Sequence, residues 1–267
     1  MILKESRQRI IDRNEDTLSI EDIESLACGD ILACRIRGFY DVATCRVIEQ
    51  RVSAATATRY AVALNVEKLG MALFEATSDE LLEDYYADAA RAGDRAQALY
   101  SGHDDPIERL RSILDRLWPA GCDVEQLHDR PMYAGLVRII GRHSELRPHQ
   151  DNTNWDMTSS VRAQTMRTQF SCNVYFRVPE KGGELELWET RIDDESLYRG
   201  MRVTGDYSLD RVRIGRPTLI VPPGCGDLIV FDARRIHAVA KVVQGSRINA
   251  STFIGLRGAD SALTLFS

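Results

Sequence analysis

The chain predicts an α+β fold with a mainly β core, helices first and strands after, in one domain. Three observations carry that prediction. Apolar residues recur at helical spacing up to Trp118, and past residue 130 the period changes to two. Between them lies no Pro/Gly-rich linker, low-complexity tract or repeat that would divide the chain. At 267 residues it is long enough to bury a full core with a helical layer laid on a sheet.

The elements follow in order. Residues 1–18 are mostly charged and polar and read as a frayed leader. Ser19-Ile20-Glu21-Asp22 opens a helix, because a Ser cap with an acid three residues on satisfies free amides. Asp30–Phe39 alternates as a strand, and Asp41–Ala55 reads as an amphipathic helix. From Val66 to Trp118 the pattern is largely helical, with Leu81–Ala90 as one segment and Pro106–Trp118 as another. In the latter, Ile107, Leu110, Ile113, Leu114 and Leu117 share one face. Tyr133–Ile140 is an apolar strand. In 171–176, Ser171, Asn173 and Tyr175 alternate with Cys172, Val174 and Phe176, so a polar face should line a cavity and an apolar face should meet the helices. Asp227–Asp232 is a further strand, opened by the turn Pro222-Pro223-Gly224-Cys225-Gly226. Two long segments, Asn152–Gln169 and Arg191–Arg216, interrupt the strands as either a lid over the cavity or peripheral decoration.

Composition removes several classes of function. A hydrophobic fraction of 44% with 28% charged residues is that of a globular chain rather than a disordered one. A formal charge of −6 leaves no electrostatic footprint for nucleic acid. The apolar runs are strand-sized, so no membrane span is expected, and Met1–Arg7 leads into further charge rather than a signal sequence. None of the six cysteines has Cys-x-x-Cys spacing, which argues against a zinc knuckle or dithiol redox site and for a cytoplasmic location.

The chemistry concentrates in His149-Gln150-Asp151, with His237 and Arg247 following. His149 and Asp151 stand at i and i+2, so an extended segment points both side chains to one face. Two imidazoles and one carboxylate are the donor set with which a mononuclear non-haem Fe(II) centre keeps open positions. Of the five histidines, His103, His128 and His143 sit in polar, charged stretches and read as solvated, while His149 and His237 each follow a strand-like run.

The order His149-Gln150-Asp151, Cys172-Asn173-Val174-Tyr175-Phe176, Gly182-Gly183-Glu184-Leu185-Glu186-Leu187-Trp188, Pro223–Phe231, Arg235-Ile236-His237-Ala238-Val239 and Gly245-Ser246-Arg247-Ile248-Asn249 resembles the Fe(II)/2-oxoglutarate-dependent oxygenase superfamily. It does so in the prolyl 4-hydroxylase-like branch, and most of all its free-standing small-molecule hydroxylases and halogenases. The resemblance implies a double-stranded β-helix (jelly-roll, cupin-like) over residues 130–258, with residues 1–129 as a mainly helical support packed on the major sheet. It implies His149, Asp151 and His237 as iron ligands, Arg247 as partner of the distal 2-oxoglutarate carboxylate, and O2 as co-substrate. Halogenases of the group carry a small residue where Asp151 stands, so the resemblance implies hydroxylation of a small molecule.

Asn249 shares the face of Arg247 and is a candidate to orient it or touch the same carboxylate. Asn152, Asn154, Trp155 and Arg162 are candidate substrate contacts, as is Arg167, and Asp232 and Arg235 are candidates to orient the imidazole of His237. Trp188 reads as core packing. Three other readings stay open at this point: a peptidyl hydroxylase of the same chemistry, a non-catalytic cupin-like sensor, and a zinc hydrolase.

Overall fold

The computed structural model describes residues 9–60, 63 and 65–267. Residues 1–8, the first part of the expected leader and the stretch read for a signal sequence, lie outside the described residues.

The rest of that leader is not frayed. Ile10–Arg13 forms strand β1, pairing parallel with β2 (Ala33–Ile36). Ion pairs that a local reading misses hold it there: Asp12 with Arg35 at 2.7 Å and Arg13 with Asp22 at 2.8 Å. Helix α1 (Ile20–Cys28) starts as the capping pattern predicts. Ser19 accepts from the Asp22 amide, Asp22 accepts from that of Ser19, and Gly29 ends the helix in the left-handed region. Helix α2 (Val42–Ala54) is capped by Asp41.

The next tract is less helical than its composition predicts. Thr58–Arg59 (β3) and Val66–Leu69 (β4) are strands, and β4 runs antiparallel to the distant Leu136–Ile140. Long-range pairing overrides local preference here, since Val66 and Leu69 bury their side chains only as part of that sheet. Helices α3 (Asp79–Ala90), α4 (Ala92–Tyr100) and α5 (Pro106–Leu117) follow. In α5, Asp105 caps, Pro106 occupies the first turn, and Ile107, Leu110, Ile113 and Leu114 are buried.

The remaining strands are β5 (Cys122–Val124), the small hairpin β6 (Gln126–Leu127) and β7 (Arg130–Pro131), β8 (Leu136–Ile140), β9 (Leu146–His149), β10 (Thr168–Arg177), β11 (Leu185–Arg191), β12 (Leu219–Val221), β13 (Leu228–Asp232), β14 (Arg235–Val239), β15 (Arg247–Leu256) and β16 (Leu263–Phe266). Both long interruptions carry short helices: α6 (Thr153–Asp156) and α7 (Val161–Gln164) in the first, α8 (Glu195–Met201) and α9 (Arg211–Ile214) in the second.

These strands build a mixed α/β architecture with two large sheets. The larger runs β1-β2-β13-β10-β15-β8-β4-β3, with β16 and β5 added beside β15; the smaller runs β12-β11-β14-β9. The first half of the chain therefore supplies strands to the large sheet as well as its helical cover. Both sheets are largely antiparallel, and Leu185, Leu187 and Val221 of the smaller pack on Tyr175, Ile229 and Phe231 of the larger.

Strand period decides what faces the cavity between them. On β10, Cys172, Val174 and Phe176 join Ile48, Val52, Leu110 and Leu114 of the helices in the main core, while Ser171 and Asn173 line the cavity. On β15, Ile248, Ala250 and Ile254 face the same helices, leaving Arg247, Asn249 and Ser251 on the opposite face. No helix among the described residues is long and apolar enough to cross a membrane.

Candidate metal centre and its pocket

His149 closes β9 and His237 lies in β14, and the two are direct cross-strand partners in the smaller sheet. That register brings their ring centroids to 4.3 Å. The chain leaves β9 after His149, and the Asp151 amide donates to the Ala233 carbonyl at 2.9 Å, which returns the carboxylate toward both rings. Nε2 of His149 lies 3.7 Å from Asp151 Oδ1, and Nε2 of His237 lies 3.3 Å from Oδ2. The three donor atoms fall within 4.8 Å of one another, close enough to bind one ion.

The backbone sets the tautomer of both rings. Nδ1 of His149 stands 2.7 Å from the Arg147 carbonyl, and Nδ1 of His237 stands 3.0 Å from that of Arg235. A carbonyl can only accept, so each Nδ1 carries the proton and each Nε2 keeps a lone pair aimed at Asp151. Of the two residues expected to orient His237, Arg235 does so and Asp232 does not. The Arg235 carbonyl, not its guanidinium, holds the ring, and Asp232 instead accepts from the Arg234 amide and pairs with Arg235.

Electrostatics agree with a cation site. Burial, helped by His237, lowers His149 to about 4, so the imidazole is neutral at physiological pH. Burial alone would raise Asp151, but His149, His237 and Arg138 outweigh it and hold the carboxyl at about 2. A deprotonated ring and an ionised carboxylate are the forms a metal needs. Two imidazole nitrogens and one carboxylate suit Fe(II), and donors from one side leave positions open on the other.

The centre opens on a cavity of about 330 Å³, the size of small-molecule sites. Arg247 lies in its wall and is 3% exposed. Its Nε donates to Asn249 at 3.2 Å, Nη1 to the Gly183 carbonyl at 3.3 Å and Nη2 to the Tyr175 hydroxyl at 3.2 Å, while its carbon CZ stands 4.7 Å from the Tyr175 ring centroid. No carboxylate among the described residues pairs with it. Desolvating a guanidinium costs several kcal/mol, which neutral acceptors offset only in part. Burial accordingly lowers the Arg247 pKa. A carboxylate-bearing ligand fits this fork. Gly182 makes the carbonyl contact possible: its φ is +81°, and a Cβ there would stand 2.0 Å from the Lys241 carbonyl oxygen.

The remaining candidates divide. Asn249 is buried and hydrogen-bonds Arg247 and Asn173, so it orients the guanidinium from outside the cavity wall. Asn152 and Trp155 line the cavity, Trp155 with its ring 5.1 Å from Tyr198. Asn154 and Arg162 do not, which corrects two expected substrate contacts. Asn154 Oδ1 accepts from Arg234 and its amide donates to Met166, whereas Arg162 pairs with the buried Glu125 at 2.6 Å. Arg167 is exposed and also absent from the lining. Trp188 is buried in a cluster with Ile192, Tyr198 and Ile236, as expected.

Other residues at the site were not singled out from the sequence. Arg138, Tyr60, Asp156, Tyr198 and Tyr207 all line the cavity. Tyr198 accepts from the Gln150 amide and Tyr207 from that of Arg147, so the second long segment braces the chain on both sides of His149. Arg138 had a sequence signal, a lone cation within Leu136-Val137-Arg138-Ile139-Ile140; the tyrosines reach the site only through tertiary packing.

Residues 11–267 match the model of the family described as the carrier-protein-independent halogenase WelO5. Among characterised proteins, the chain is 24% identical over 247 residues to the L-gamma-glutamyl-L-propargylglycine hydroxylase of Streptantibioticus cattleyicolor, covering 88% of each. It is 30% identical over 115 residues to the L-isoleucine 3(1)-dioxygenase of Pantoea ananatis, covering 41% of this chain and 38% of that one. Among solved structures it is similar to an N-substituted L-amino acid dioxygenase of Burkholderia ambifaria, with a TM-score of 0.59 at 14% identity over 94% of this chain and 92% of that one.

Proposed function

Since the chain belongs to the family of the carrier-protein-independent halogenase WelO5, we propose that it hydroxylates an unactivated C–H bond of a small molecule such as an amino acid derivative. It is a non-haem iron, 2-oxoglutarate-dependent dioxygenase, and it consumes O2 and releases succinate and CO2. The two facing sheets are read as a double-stranded β-helix within a single oxygenase domain. The observation that carries the reaction is the complete set of His149, Asp151 and His237.

His149 and His237 would hold Fe(II) through Nε2, with Asp151 as the anionic ligand. The loaded site would supply oxidation of a substrate C–H bond to C–OH by O2, with 2-oxoglutarate giving the other two electrons as it becomes succinate and CO2. Arg247 takes the distal carboxylate of 2-oxoglutarate, kept in place by Asn249, Tyr175 and the Gly183 carbonyl. Trp155, Phe74 and Leu146 give the cavity apolar wall, which limits bulk water near the reacting carbon.

The family's name favours a second reading, halogenation, and Asp151 decides against it. A carboxylate ligand occupies the position and supplies the charge that a bound halide would otherwise provide. Anaerobic titration of Fe(II) and 2-oxoglutarate tests the proposal. The expected result is a weak visible charge-transfer band, followed by substrate-dependent succinate on admitting O2. An enzyme that binds iron but gives neither would end the oxygenase reading. Chlorinated rather than hydroxylated product in chloride buffer would replace it with the second.

A further inference from the structure

Arg247 is not the sole cation of the pocket. Arg138 lies on β8, opposite Asn249 on β15, so its side chain projects from the same inner face as Arg247. Its Nε donates to the Tyr60 hydroxyl at 2.9 Å and its Nη1 to Ser251 Oγ at 2.6 Å. Nη2 has no hydrogen-bond partner among the described residues, and no carboxylate there lies within ion-pair distance of this guanidinium. Arg138 is half-buried on the cavity face, and the carboxylate that acts on it electrostatically, Asp151, is committed to the metal, so its charge is left without a partner of its own.

The two forks have different anchors, although Arg138 is near enough to help lower the Arg247 pKa. Arg247 is anchored by Tyr175 and Gly183, whereas Arg138 is drawn toward Ser251, further along β15 and away from Arg247. Tyr60, which holds Arg138, stacks on Phe74 at 5.6 Å, and both rings line the cavity. Arg138 therefore presents Nη2 at a position separate from the one Arg247 serves.

We propose that Arg138 binds a carboxylate of the substrate, so that the enzyme acts on a free acid such as an amino acid with an unblocked carboxyl group. This rests on the oxygenase reading, for a reason of charge balance. 2-Oxoglutarate carries two carboxylates; Arg247 accepts one and the metal the other. A further cation in the same pocket is left for an anionic group that the co-substrate does not supply. The guanidinium is preset by Tyr60 and Ser251, so binding costs little side-chain entropy and fixes which carbon faces the metal.

Titration calorimetry on the Mn(II)- and 2-oxoglutarate-loaded protein, without O2, tests this with a panel of free L-amino acids and dipeptides, each paired with its C-terminal amide. The wild type should favour at least one acid over its amide by about tenfold or more, the range for losing a hydrogen bond to a charged group. Arg138→Gln should erase the preference, and Arg138→Lys, which keeps charge but not the fork, should retain part of it. The Fe(II)–2-oxoglutarate band is read in parallel on the same variants. In Arg138→Gln its half-saturation should stay within about twofold of wild type. A shift as large as that of Arg247→Ala would assign Arg138 to the co-substrate and overturn the proposal. So would equal binding of every acid and its amide by the wild type, or an acid preference that survives in Arg138→Gln. Absence of the band in the wild type would instead remove the oxygenase reading, an outcome the calorimetry does not mimic. Should Arg138→Gln fold poorly, as its melting temperature would reveal, Arg138→Lys carries the comparison.

Discussion

At the residue scale, chemistry at this site is set by what each charged group lacks. Arg247 is buried against neutral acceptors, so its contribution appears only with an anion beside it. Arg247→Ala is expected to raise the 2-oxoglutarate concentration for half-saturation on the order of 100-fold, since truncating one partner of a buried charge pair costs about 2–5 kcal/mol. The charge-transfer titration measures it, and iron stoichiometry should not change.

At the element scale, strands deliver the site, and strand pairing is where sequence reasoning loses sight of it. His149, Asp151, His237 and Arg247 were legible because an i, i+2 pair and later basic residues survive as linear patterns. The alternation in 171–176 likewise named Ser171 and Asn173 as cavity lining, since period two is local, whereas Tyr175 is buried between the sheets and reaches the site only through Arg247. The hidden parts depend on partners far along the chain. Residues 10–13 look like a polar leader until Asp12 meets Arg35, and Val66–Leu69 looks helical until it pairs with β8. Arg162 looked available until Glu125 claimed it, because no local pattern announces a buried carboxylate 37 positions away. Gly182 shows how a turn between strands reaches the chemistry. Gly182→Ala forces a Cβ against the Lys241 carbonyl at a positive φ, and should destabilise the fold by about 2 kcal/mol or more. Because Gly183 supplies an acceptor to Arg247, affinity for 2-oxoglutarate should fall as well. Urea unfolding and the same titration separate the two effects; a variant that lost stability alone would show the glycine to be remote from the co-substrate.

At the scale of the whole molecule, α1, α2, α4 and α5 cover one face of the large sheet, while α3 packs on the opposite face beside the cavity formed with the small sheet. The donor atoms come from β9, from the residues just after it and from β14, so an ion bound there stitches the middle of the chain to its last third. A ligand that binds the native state alone stabilises it by about 2.7 kcal/mol at a hundredfold excess over its Kd. For a chain of this size that corresponds to roughly 5 °C or more in melting temperature. Mn(II) should produce such a shift in the wild type and none in His149→Ala, read by thermal unfolding with and without chelator. The way the rings are oriented also bears on how this protein can change over time. The groups that fix both tautomers are peptide carbonyls, at Arg147 and Arg235, and a peptide carbonyl survives any codon change. The side chains at those two positions serve other ends, Arg235 pairing with the buried Asp232 and Arg147 with Asp206, so a change there acts on the surroundings of the metal and not on the acceptors that orient its ligands.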